Sequence, residues 1–125
     1  MTFDQLVFLS FTAVASKYCS KKARKAGDLS LEKIYEKTYR DALSSATEAF
    51  KLLGNFPEET QVLDNSLQKI CKIADLLAEK DSNRMLDSLL EQWNNFYNNL
   101  KQFFENKVPT QAEAIENIIF KITKK

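Results

Sequence analysis

The chain has no histidine among its 125 residues. That absence removes histidine general bases, Ser-His-Asp and Cys-His nucleophile systems, and imidazole metal ligands. It also removes the Glu-x-x-His pattern by which helical bundles hold paired iron ions. Only two glycines and two prolines occur. So few turn formers argue against the many tight turns of an all-β fold and for a few long helices. Two cysteines, Cys19 and Cys71, are too few for a disulfide framework. They read as buried thiols in a reducing, cytoplasmic compartment, with a Cys19–Cys71 bond open if the first and third helices face each other there. The formal net charge is +1, so attraction to nucleic acid or to a membrane has to come from a local patch. A spanning helix needs about 20 apolar residues, and Lys17 interrupts the longest apolar run before that length is reached.

What is present is helical periodicity. Hydrophobic residues make up 44% of the chain and charged residues 28%, ordinary values for a globular domain of this length. The organising stretch is Met85 to Phe104. Its apolar residues fall at Leu86, Leu89, Trp93, Phe96, Leu100 and Phe103, alternating steps of three and four, with Leu90, Tyr97 and Phe104 widening the stripe.

The start signals are equally readable. Thr2 and Gln5 form a T-x-x-Q capping box, predicting a helix over 3–25. Its Leu6–Ala15 run is uncharged and apolar nearly all round, and reads as burial against several neighbours or in a homodimer seam. Two alternatives stay open for it. Ala13-Val14-Ala15 resembles a secretory cleavage site, although Asp4 precedes it without any Lys or Arg, and an amphipathic membrane-surface anchor is the other. The same helix ends in Lys17, Lys21, Lys22, Arg24 and Lys25, cations that complement the helix dipole before Gly27 at the C′ position.

Asp28 or Ser30 caps a second helix over 30–53. Its stripe runs through Leu31, Tyr35, Tyr39, Ala42, Ala46, Ala49, Phe50 and Leu53, and its small middle is expected to receive the large side chains of the aromatic helix. Pro57 suits the first position of a third helix over 57–79, with Glu58 and Glu59 at its positive end and Leu63, Leu67, Ile70, Ala74 and Leu77 inside. The stripe then restarts out of phase at Leu86. That slip predicts a tight turn at Lys80–Asn83, capped by Asp81 or Ser82, before a fourth helix over 83–106; one helix from Pro57 to Asn106 is the alternative. After Pro109, Thr110–Glu113 forms a second capping box, and a short helix over 111–123 presents Ala112, Ile115, Ile118, Ile119 and Ile122. The expected fold is an all-α, antiparallel up-and-down bundle of four long helices plus a shorter C-terminal one, in a single domain over 1–125.

No reactive constellation emerges. None of the four long stripes carries an Asp or Glu, Gly27 and Gly54 are isolated, and no metal-ligand spacing recurs. The expectation is a non-enzymatic protein without cofactor or metal, acting by protein–protein binding as an adaptor, inhibitor, immunity-type or assembly factor, with homodimerisation through the first or last helix. The candidate protein-binding residues are Phe8, Phe11, Trp93, Asn94, Asn95 and Asn98. The asparagines enter because they are mediocre helix formers crowded on the outer face of the most aromatic helix. The alternative is an accessory protein that binds nucleic acid or an anionic membrane through Lys17, Lys21, Lys22, Arg24 and Lys25.

Overall fold

The computed structural model describes residues 2–53 and 56–107. Among these the chain forms α1 (Phe3–Lys25), α2 (Leu29–Leu52), α3 (Pro57–Lys80) and α4 (Asn83–Lys107), an all-α up-and-down bundle. The short helix expected over 111–123 lies outside the described residues.

Local chemistry sets the helix ends. The Thr2 hydroxyl accepts from the Gln5 backbone N–H at 3.2 Å, and the Thr2 N–H donates to Gln5 Oε1 at 3.0 Å, closing the capping box. At the other end of α1, the Gly27 N–H donates to Arg24 and the Asp28 N–H to Ala23, both at 3.0 Å. That pair of bonds is a Schellman motif, and it holds Gly27 at φ +76°, where a Cβ would be strained. Asp28 then serves α2, its carboxylate accepting from the Leu31 N–H at 3.0 Å. Pro57 opens α3. α3 and α4 are separate helices, because Asp81 ends α3 in the left-handed region at φ 48° and the Ser82 carbonyl accepts the first bond of α4 from Leu86.

α1 and α3 form the central, parallel pair, with α2 and α4 on the flanks. α2 packs mainly on α1 and α4 mainly on α3, while the backbones of α2 and α4 do not approach one another among the described residues. Small side chains make the close approach of α1 and α2 feasible. The residues α1 buries include Ser10, Ala13, Ser16, Ser20 and Ala23, and those of α2 are Ala42, Ala46, Ala49 and Phe50. The small middle of α2 therefore meets α1, not the aromatic helix as its composition had suggested. The large side chains gather where α3 and α4 close on the N-terminal end of α1. Leu6, Leu67, Ile70, Phe96 and Leu100 are at most 1% exposed, each contributing about 2 kcal/mol by burial. Around them Phe3 meets Tyr97 and Phe104 edge-on at 5.5 and 5.8 Å, and Phe56 meets Phe103 at 5.7 Å.

The apolar run of α1 is not buried all round. Leu6, Ser10, Ala13 and Val14 are inside, but Phe8 and Phe11 are 69% and 57% exposed. The physical reason is the seam itself. A helix that lies close against two neighbours places its small residues in the contacts and turns its bulky ones elsewhere. Leu31, Leu86 and Leu90, expected inside on their stripes, are also exposed.

Candidate functional site

Two features stand out: an apolar face shared by α1 and α4, and a dense polar clasp between the C-terminal ends of α1 and α3.

The apolar face begins with Phe8 and Phe11, three residues apart on the side of α1 that points away from α3. The Phe11 ring meets Trp93 of α4 edge-on, centroids 5.8 Å apart, and Trp93 in turn lies 5.6 Å from Phe96. Tyr97 meets Phe3 one turn further along. Leu86, Leu90, Trp93 and Tyr97 recur at steps of four, three and four, so they share the edge of α4 that borders α1. Leu86 and Leu90 are exposed there, at 41% and 52%. On α1, Thr12, Ala15 and Cys19 continue the face with small, uncharged side chains, each half-buried. Because the backbones of α2 and α4 stay apart, nothing among the described residues roofs this strip. Of the residues expected to bind protein, the structure thus brings Phe8, Phe11 and Trp93 together. Asn94, Asn95 and Asn98 are exposed. Asn94 sits one turn from Leu90 at the rim, while Asn95 and Asn98 project from the outer side of α4. Leu86 and Leu90 were missed from the sequence because their positions on the apolar stripe read as interior.

All five cations of the α1 basic cluster are engaged, Lys17 and Arg24 by α2, and Lys21, Lys22 and Lys25 by the C-terminal end of α3 in the clasp itself. Lys17 lies 3.8 Å from Glu36 and 4.6 Å above the Tyr39 ring. Lys21 reaches Glu79 at 3.2 Å and Asp75 at 4.0 Å. Lys22 donates to Asp81, and Arg24 lies 3.9 Å from Glu32. Lys25 donates to the carbonyls of Ala78 and Glu79 at 3.2 and 2.7 Å, capping the negative end of α3 from a different helix. The hydrogen bond from Lys21 holds the Glu79 carboxyl below its ordinary range, and the bond from Lys22 does the same for Asp81. Lys22 is raised in return.

Among the described residues the buried polar ones are Ser10, Ser16, Ser20, Thr60 and one acid, Asp64. Asp64 is 9% exposed between α2 and α3, although it lies off the apolar stripe of α3. Its position is adjacent to Leu63, one step off the stripe, where α2 closes over it. The Thr47 hydroxyl donates to one carboxylate oxygen at 2.9 Å and the Gln68 amide to the other at 3.0 Å. Asp64 borders a groove of about 240 Å³ walled by Phe50, Pro57 and Thr60. A second groove of about 280 Å³ lies between α3 and α4 at Val62, Leu63 and Phe103. Among the described residues no three His, Cys, Asp or Glu side chains converge on a metal-sized site.

Both cysteines are free thiols. Cys71 is 1% exposed, and burial pushes its thiol up to about 12, which keeps it protonated and unreactive. No helix among the described residues is long and apolar enough to cross a membrane.

The fold and its surfaces define a helical bundle with an aromatic–aliphatic face exposed among the described residues. No protein-family model, no curated protein and no solved structure matches the chain.

Proposed function

We propose that this is a non-enzymatic helical protein that acts by binding another protein through the α1–α4 face. The observation that carries the reading is the pair Phe8 and Phe11, 69% and 57% exposed on one side of α1 beside exposed Leu86 and Leu90. Two phenylalanines and two leucines clustered in water cost free energy that a partner's surface would recover, and such patches mark interaction sites. Half-buried Trp93 gives the patch an aromatic anchor of the kind that dominates binding energy. The non-enzymatic half of the reading is supported by the lack of histidine and by the way Thr47 and Gln68 already occupy both oxygens of Asp64, the one acid buried among the described residues. Two free thiols suit a reducing, cytoplasmic setting. Adaptor, inhibitor, immunity-type and assembly factors all fit this description.

Binding of nucleic acid or an anionic membrane through Lys17–Lys25 gains no support from the geometry, since each of those cations is engaged by a carboxylate or carbonyl of the chain itself.

The test is affinity capture from the source cell with the intact chain and with a Phe8→Ser, Phe11→Ser variant whose helicity is verified by circular dichroism. Proteins retained by the parent and lost by the variant support the reading. Identical capture by both refutes it, and capture that falls steeply with salt while ignoring the phenylalanines favours the basic cluster instead.

A further inference from the structure

We infer that the outer groove between α3 and α4 seats this chain's own C-terminal segment, with residues 111–123 lying along it as an amphipathic helix parallel to α3. The groove is a different face from the α1–α4 surface, and the inference does not depend on that surface binding a partner.

Two strips of side chains border this groove. On α4, Ser88, Gln92, Asn95, Asn99, Gln102 and Asn106 recur at steps of four, three, four, three and four, so they share one helix face. None of the six carries a charge, and amides are mediocre choices for a helix face that meets only water. On α3, Val62, Ser66, Lys69, Ile73 and Leu76 follow the same alternation, with Val62 61% and Leu76 44% exposed. The strips come together where Val62 and Leu63 stand beside Asn99, Gln102, Phe103 and Asn106, around an opening of about 280 Å³. Because α3 and α4 are antiparallel neighbours, the same groove continues from that opening down to Leu76. Lys69 is the one charge on either strip. A face that another helix covers does without charge, since burying an unpaired one is costly, whereas an amide keeps both a donor and an acceptor for a neighbour.

The place where α4 stops and the length of chain beyond it select the occupant. Residues 108–125, which lie outside the described residues, continue directly from the end of α4 at Lys107. Asn106, one position earlier, lines the opening. α1 starts lower, with Phe3 against Tyr97 and Phe104, and the backbone of α2 does not approach α4. At the level of Asn106, therefore, only α3 flanks α4 among the described residues. The three linking residues up to Thr110 span at most about 10 Å, which starts the segment at this opening. The segment has the stripe the groove needs, Ala112, Ile115, Ile118, Ile119 and Ile122, behind the capping box at Thr110–Glu113. A helix over 111–123 is about 20 Å long, and the rise from Val62 to Leu76 is about 21 Å. Folded back from α4, it runs parallel to α3, sets its isoleucines over Val62 and Ile73, and brings Glu116 within reach of Lys69. So short a link holds the segment at an effective concentration on the order of millimolar, ahead of most competitors for the same groove.

The experiment is amide hydrogen exchange, read by mass spectrometry on the intact chain, in the parent, in Val62→Asp and in the Phe8→Ser, Phe11→Ser variant, with the helicity of each verified by circular dichroism. In the parent, the amides of residues 113–123 are expected to exchange about tenfold or more slowly than in a synthetic peptide of the same sequence. Val62→Asp should lose most of that protection, and the phenylalanine variant should keep it. An unprotected segment in the parent overturns the inference and leaves the groove to a separate protein. Protection that ignores Val62→Asp also overturns it, and if the phenylalanine variant loses that protection instead, the segment lies on the α1–α4 face. Protection that grows with protein concentration assigns the segment to a second copy's groove and overturns docking within one chain. Thiol cross-linking in a Cys19→Ser background reads the placement independently of stability. A disulfide within one chain is expected for Ser66→Cys with Ile115→Cys and none for Asp4→Cys with Ile115→Cys, and the reverse pattern overturns the inference.

Discussion

Phe11 of α1 and Trp93 of α4 meet edge to face, with centroids 5.8 Å apart and ring planes at 71°. They are the point at which a bare helix face is tied to the aromatic core, since Trp93 continues inward to Phe96, which is 1% exposed. Trp93 is the only tryptophan, so the fluorescence of the chain reports the surroundings of this one ring. Phe11→Ala is expected to shift Trp93 emission to the red and to lower stability by about 0.5–1.5 kcal/mol, the range of an aromatic pair beyond simple burial. Phe8→Ala, at a more exposed position, should leave emission unchanged and stability within about 0.5 kcal/mol. Urea titrations followed by fluorescence distinguish the two, and an unmoved emission in Phe11→Ala would remove the contact from the account.

The α1–α2 seam should reject added bulk. Ala46 is fully buried where α2 lies against α1. Ala46→Leu increases hydrophobicity yet is expected to cost about 1–3 kcal/mol, because the two helices cannot separate without opening the contacts on either side. Leu52→Ala, at a site 76% exposed, removes apolar bulk and should change stability by less than about 0.5 kcal/mol. Chemical denaturation midpoints that rank these two the other way would contradict a close-packed seam.

Asp64 joins α2 to α3 through Thr47. Asp64→Ala leaves the Thr47 hydroxyl and the Gln68 amide without their acceptor and is expected to cost about 1–3 kcal/mol. Thr47→Val should cost less, and the double variant should show clear coupling between the sites. Strict additivity in the double-mutant cycle would mean that the two side chains act independently.

The clasp between α1 and α3 carries a pH dependence of definite sign. Glu79 and Asp81 are held below their ordinary values of 4.5 and 3.8 by hydrogen bonds from Lys21 and Lys22. The unfolded chain therefore takes up these protons first as pH falls. The stability they contribute is present above the ordinary carboxyl range and is lost as pH drops through the lower folded values. The melting temperature is expected to decline between about pH 5 and pH 3, and a Glu79→Gln, Asp81→Asn variant to show a flatter profile over that span. Asparagine tolerates the left-handed backbone at position 81, so the substitution isolates charge from conformation. Both groups are exposed and the effect is correspondingly modest. A variant whose profile parallels the parent's would place the acid sensitivity elsewhere.

Much of the fold was legible because helix ends are written in neighbouring residues. Thr2 and Gln5, Gly27 with Asp28, and Pro57 each act within three or four positions, and the four described helices begin and end within one residue of the expected bounds. The turn at Asp81 was visible as a slip in apolar phase, although neither glycine nor proline marks it. The candidate face was legible in part. Phe8, Phe11 and Trp93 were singled out and come together, but their neighbours Leu86 and Leu90 had the same spacing as core residues and nothing in a single helix tells a covered stripe from a bare one. Asp64 went unseen for the converse reason, since its burial comes from α2 closing over α3 and from no pattern in α3 itself.

The sequence by itself determined four helices, their caps and their polarity, and it excluded histidine chemistry outright, because these depend on local hydrogen bonding and on which atoms exist at all. The tertiary structure alone decided which face of each helix would be hidden. Small residues let α1 lie close to α2 and α3, α2 and α4 were left on opposite flanks, and Phe8 and Phe11 of α1 were turned outward between them. That outcome depends on the joint packing of several helices, a property no single stretch of sequence contains.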